Sequence, residues 1–398
     1  MTREIEGGGG SFRTRVASRS SGGPGSSRGF AVLLAVTFLA FVDYAALLPV
    51  VPLWAASGGA DSVAVGATTG VMMAATVATQ LAVPWLFEIA GLRTMVVVGA
   101  VLLGAPTPLY LLSAEWAPIA AITVLRGVGF ALVVTAGATL VADLAAEGRL
   151  ASAASRYGVA AALPNLAVLA GGVWAARTWG FAVVFWGATV ACLAGALLAV
   201  WLPARRRGKF RFTSMADAAG VGAPIVLFLA TAASFGAATT FLPVAIEEPG
   251  TGFRALLAAS AGLVCARLAA GAFGDRYGAG RLLPFAVLSC AAGLGCLGAS
   301  LAAAPGPLLI LGAALLGAGF GACQNDSFVL TLERLGRGRS GTASTIWNIA
   351  YDGGLGAGAA ALGWFIGSAG YAGAFFGMAA VVGALAAMLF RLPGRRAA

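Results

Sequence analysis

Five charged residues stand deep inside long apolar runs, and chemistry is most naturally sought there. Asp43 lies nine residues before Pro52, and Arg126 lies nine residues after Ala117. At 1.5 Å per residue each sits about 14 Å from the same end of its run, so the two share a depth. An ionisable group at the centre of a bilayer-spanning helix costs on the order of 3 kcal/mol, which disfavours a lone carboxylate facing lipid. Asp43 reads as a proton site, with Arg126 tuning its ionisation or holding substrate. A static ion pair bracing the first half of the chain fits the same spacing. Arg267, Asp326 and Asp352 fall about 9 to 14 Å from the opposite ends of their runs. Two acids and one base at one depth are expected to form a charge network, either a gating brace or a transport site. Asn325, Trp347 and Asn348 add groups able to hydrogen-bond a polar solute.

The elements that must position these residues are membrane spans. The chain has 398 residues, 60% hydrophobic and 10% charged, against about 25% charged in an ordinary soluble domain. Apolar windows of about 20 residues, the length that crosses a bilayer, repeat from Phe30 to Arg391. The net charge of +10 lies in the polar breaks rather than on one face, so it signals topology and not nucleic-acid binding. Histidine is absent, which removes His-dependent metal sites and Ser/His or Cys/His nucleophiles; no enzyme activity, metal or cofactor is expected. Cys192, Cys265, Cys290, Cys296 and Cys323 all fall in apolar runs, as small packing residues do.

Twelve spans are expected, at 30–53, 62–87, 94–113, 117–142, 155–176, 180–202, 219–245, 252–273, 282–303, 307–332, 343–368 and 371–391. A disordered Gly/Ser/Arg-rich tail, 1–29, precedes them, and a short tail, 393–398, follows. All but four of the 25 basic residues fall in the tails, in the breaks on the tail side or at the span ends bordering them. The opposite breaks hold Arg177 and Arg254 beside Asp61, Glu115, Glu247 and Glu248. This asymmetry places both termini in the cytoplasm, in a bacterial inner membrane. Trp54, Trp85, Trp116 and Trp179 stand near span ends, as interfacial anchors do.

The basic break 204–218 divides the chain into two sets of six spans, 30–203 and 219–392. Gly127, Gly129 and Phe130 align at an offset of 190 with Gly317, Gly319 and Phe320. The same offset carries Gly180, Phe181 and Phe185 onto Gly370, Tyr371 and Phe375. The constant offset implies duplication. Repeated halves place a transport site between them near the midplane.

At the tail-side end of the eighth span the chain reads Gly-Ala-Phe-Gly-Asp-Arg-Tyr-Gly-Ala-Gly-Arg, giving Gly271, Asp275, Arg276, Gly278 and Arg281. This run resembles the signature of the major facilitator superfamily between the second and third helices of each half. The first-half copy is reduced to Pro84, Glu88, Gly91 and Arg93, with Ile89 where an Arg usually follows the acid. The resemblance implies that these motifs latch the inner face; a charged turn that only sets topology is the other reading. Arg126-Gly127-Val128-Gly129 looks like the superfamily's helix 4 motif, whose Arg is linked with proton coupling in its exporters. Asp352-Gly353-Gly354 looks like the helix 11 pattern of exporter-type members. Gly158, Pro164, Gly171 and Gly172 match in part the helix 5 motif of the proton antiporters.

The resemblance spans about residues 30–392. It implies an all-α membrane protein of two pseudo-symmetric six-helix bundles that works by alternating access. No P-loop is present in the sequence, so energy is expected from a gradient. The expected activity is proton-coupled export of a small, amphipathic molecule by a monomer, as in the multidrug and metabolite exporters. A uniporter or importer of a small metabolite remains open, as does a non-transporting sensor or assembly factor that kept the fold.

Overall fold

The computed structural model describes residues 24–145, 149–204, 221–303, 306–336 and 340–391. The 204–218 linker and the two tails fall largely outside these residues. The described chain is helical throughout, with helices α1 (Pro24–Ser57), α2 (Ser62–Ile89), α3 (Leu92–Gly104), α4 (Trp116–Leu144), α5 (Leu150–Trp179), α6 (Phe181–Ala199), α7 (Gly222–Ala245), α8 (Pro249–Tyr277), α9 (Leu283–Ala303) and α10 (Pro307–Leu335). A continuous run, Ser340–Arg391, breaks at Gly370, whose φ of 66° lies in the left-handed region. It therefore counts as two helices, α11 (340–369) and α12 (371–391). Gly180 separates α5 from α6 in the same way, with φ of 91°, so glycine makes the corresponding turn in both halves.

Two boundaries depart from expectation. The described part of α1 already includes residues 24–29, inside the stretch read as tail. The third span is not one α-helix. α3 ends at Gly104 and a 3₁₀ turn, Thr107–Leu112, finishes the crossing, because Pro106 and Pro108 lack the N–H groups an α-helix needs there.

The duplication visible in sequence is a duplication of packing. A Cβ on Gly127 would meet the Met72 carbonyl of α2, and one on Gly317 would meet the Ala259 carbonyl of α8. Gly129 presses on the backbone of α3 at Gly99 and Leu103, and Gly319 on that of α9 at Ala286 and Cys290. Small residues let these backbones meet in a solvent that offers no hydrophobic drive to associate. Phe185 and Phe375 are both fully buried. Cys192, Cys290 and Cys323 are buried, Cys296 is half-buried and Cys265 is exposed, all as free thiols.

The bundles meet mainly at the end away from the N-terminal tail. There one apolar core runs through both halves, from Leu47, Val50 and Val65 to Phe241, Leu355 and Leu362. On the tail side the first bundle keeps a separate core of its own, including Leu33, Phe87, Met95, Leu140 and Leu202. Two polar contacts between the bundles lie at the end away from the tail. Thr69 of α2 and Thr240 of α7 share a hydrogen bond of 2.9 Å. Arg177 at the end of α5 donates to the carbonyls of Pro243 at 2.6 Å and Glu247 at 3.1 Å, where the last turn of α7 leaves acceptors without helical partners. Gly66, Gly70 and Gly363 bring α2 and α11 into backbone contact.

Candidate functional site

Asp43 and Arg126 form one buried pair. Arg126 Nη2 donates to Asp43 Oδ2 at 2.7 Å, and the two side chains are 0% and 1% exposed. Arg126 Nε donates to the Leu103 carbonyl at 3.1 Å, at the end of α3 where the helix stops and its carbonyls need donors. The guanidinium also faces the Tyr110 ring at 5.8 Å from its centroid, and Tyr110 bonds Thr123 at 2.8 Å. Three elements of one bundle thus hold the cation in place. A small cavity beside it is lined by Arg126, Tyr110, Thr123, Thr68, Thr69 and Pro52. Asp43 Oδ1 is buried and has no hydrogen-bond partner.

The next residue along α1 reaches the other bundle. Tyr44 stacks on Phe130 at 4.2 Å between centroids and 7° between planes. Its hydroxyl lies near that of Tyr351 on α11, without hydrogen-bond geometry. In the second bundle Phe235 stacks on Phe320 at 4.7 Å, the counterpart pair. Trp347 stacks on Phe228 at 4.6 Å and donates to Ser327 Oγ at 3.1 Å. Both halves thus wall the centre with aromatic pairs.

The expected network of Arg267, Asp326 and Asp352 does not assemble. Asp326 Oδ2 accepts from the backbone N–H groups of Gly280 at 3.0 Å and Leu282 at 3.1 Å. It therefore ties α10 to the α8–α9 turn, at the end of the signature motif. Asp352 points to the first bundle, where its Oδ2 accepts from Gln80 Nε2 at 2.7 Å. Arg267, half-buried on α8, lies beside Tyr351. Common depth does not fix which face of a helix a residue occupies, and the three face different neighbours. Asn348 is spent locally on the Ser344 carbonyl at 2.9 Å, and Asn325 lies against Gly271.

The motif residues are placed as follows. Asp275, Arg276, Gly278 and Arg281 are exposed, with Arg276 over the Tyr277 ring at 5.3 Å. Glu88 is exposed, Gly91 stands before the first turn of α3, and Arg93 Nη1 reaches the Val200 carbonyl at 3.5 Å within its own bundle. On α5, Gly172 packs against Ala46 of α1, a Cβ there lying 3.0 Å from its carbonyl oxygen, whereas Gly171 has open space around it. Pro164 is buried within the helix. Sequence reasoning missed Tyr44, Gln80, Tyr110 and Tyr351. Gln80 had a signal: it is the only side-chain amide in the apolar run of α2.

The sequence profile described as Major Facilitator Superfamily matches residues 33–359, more than half of the chain. No curated protein sequence matches. Among solved structures, the chain is similar to the peptide transporter POT in complex with sulfate, at 14% identity and a TM-score of 0.72, covering 91% of this chain and 94% of that one. It is similar to the nucleoside transporter NupG at 12% identity and 0.69, covering 92% and 100%. The human organic anion transporter MFSD10 (TETRAN) aligns at 14% identity and 0.62, covering 92% and 100%. At these identities the likeness speaks for the fold.

Proposed function

The chain belongs to the Major Facilitator Superfamily, and from that premise we propose that it is a secondary active transporter exporting a small amphipathic molecule in exchange for protons. The observation that carries this reading is the buried Asp43–Arg126 pair beside a small cavity, with one carboxylate oxygen unpartnered. Ionisable groups are too costly in a bilayer interior to be ordinary packing, and they mark ion or substrate paths there. Exchange requires proton and substrate to be mutually exclusive: Asp43 is ionised and its proton released on the side where substrate binds beside Arg126, and Asp43 takes a proton on the side where substrate has left. One charge moved through 100 mV supplies about 2.3 kcal/mol, enough for modest uphill export.

The seal between bundles at the end away from the tail supports rocking of two halves about a central site. With the Lys/Arg-rich side in the cytoplasm of a bacterial cell, the seal faces outward. Protons, a small molecule and lipid are then the partners of a monomer. A uniporter is the second reading, favoured by the intact ion pair, which a static brace would form equally well. Reconstituted vesicles separate the two: an imposed pH gradient drives concentrative dye transport in the exchanger and only equilibration in the uniporter. Transport insensitive to both an uncoupler and Asp43→Asn contradicts proton coupling.

A further inference from the structure

A second buried acid differs from Asp43 in having no cation. Asp352 is 2% exposed, and among the described residues no Arg or Lys pairs with it. Its one bond crosses between the bundles, from Gln80 on α2, itself 2% exposed. Two atoms of this pair are left over: Asp352 Oδ1 and Gln80 Oε1 are both buried without a hydrogen-bond partner. A carboxylate cannot satisfy both, because each of these oxygens only accepts. One proton can. Placed on Oδ1, it turns that oxygen into a donor for an acceptor such as Gln80 Oε1, while Oδ2 goes on accepting from Nε2.

We propose that Asp352 is a second proton site, and that its proton adds a second bond to the Gln80 contact, a clasp holding α2 against α11. The inference deepens the transport reading and rests on it for its purpose. The surroundings fit a neutral acid. Tyr44 from α1 lies near Asp352, and Tyr351 is its chain neighbour. Arg267 from α8 lies beside Tyr351 and forms no ion pair with Asp352. α7 carries no ionisable side chain, and Asp326 of α10 is turned to the α8–α9 turn. Along the α2–α11 seam, contacts at Gly66, Gly70 and Met73 lead from the sealed end to Gln80. The clasp is the link of this seam nearest the tail side, past the middle of both helices. Protonated, it favours the conformation sealed away from the tail. Deprotonated, it keeps one bond and a bare buried oxygen, and the bundles separate more readily. An exchanger needs this order, in which a proton brought from outside resets the carrier toward the cytoplasm.

Spin labels at Ser57→Cys and Ser368→Cys, exposed near the sealed ends of α1 and α11, report the seal by pulsed EPR distances in lipid nanodiscs, with the native cysteines replaced. The near-to-far population ratio falls as pH rises, by up to about tenfold per pH unit, the slope one proton gives. Asp352→Asn rebuilds both bonds with its amide, so it stays in the near population and loses the pH response. Gln80→Leu shifts to the far population and also loses it. Glu115→Gln, exposed before α4, keeps the response. A response unchanged in Asp352→Asn, or absent from the parent, overturns the clasp; a response abolished by Glu115→Gln instead assigns the switch to Glu115 and overturns it too. Should the clasp titrate in a protein that transports nothing, the transport reading falls and the clasp stands.

Discussion

Asp43→Asn leaves Arg126 buried at 1% exposure without its counter-charge, with the Leu103 carbonyl, the Tyr110 ring face and a neutral amide oxygen in place of the carboxylate. At 2.7 Å and an effective dielectric constant of 20 the lost attraction is about 6 kcal/mol. Part of it only offsets the cost of burying the charges, so the net destabilisation expected for removing one partner is about 3–5 kcal/mol. Removing both is different: Asp43→Leu with Arg126→Met leaves no buried charge and is expected to melt close to the parent. A double-mutant cycle of thermal melts in detergent therefore gives a coupling of several kcal/mol. The same four proteins in vesicles separate brace from site. The charge-free double variant folds but does not couple dye transport to a pH gradient. Proton-coupled transport in that variant would refute the role given to the pair, and a single Asp43→Asn as stable as the parent would refute its energetics.

Gly317→Ala and Gly127→Ala push a Cβ into a facing carbonyl and are expected to lower stability by about 1–3 kcal/mol. Gly171→Ala, with open space around it, raises it by up to about 1 kcal/mol through helix propensity; melting of the three variants checks the order. Asp326→Ala strands the Gly280 and Leu282 amides at about 1–3 kcal/mol each, read as faster hydrogen exchange at those two amides than in Arg281→Ala. Glu248 caps α8, and bonds from the Thr251 hydroxyl and the Thr251 and Gly250 amides hold its carboxyl below the usual range. The cap is therefore present at neutral pH and fades as pH falls through the lowered value. Glu248→Gln should melt below the parent at neutral pH and match it in strong acid.

Much of the fold was legible because glycine and proline write backbone geometry directly. The offset joining Gly127 to Gly317 and Gly180 to Gly370 reappears as equivalent helix contacts and equivalent turns. The Asp43–Arg126 pair was legible because two costly charges at one depth must find each other. Depth failed for Asp326 and Asp352. Successive residues on a helix differ by about 100°, so two acids at one depth can face a loop amide and another bundle respectively. No local pattern records that Gln80 meets Asp352 across 272 residues of chain. Pro106 and Pro108 did signal the end of α3, but hydropathy, blind to backbone N–H groups, ran through them.

The account's central claim is that a proton gradient drives solute movement through this protein. Its most direct test is purified protein in sealed vesicles with an internal pH-sensitive dye, exposed to a panel of amphipathic compounds. The account predicts compound-dependent proton flux that saturates and vanishes in Asp43→Asn. Compound movement with no accompanying proton flux, in either direction of the gradient, would contradict it.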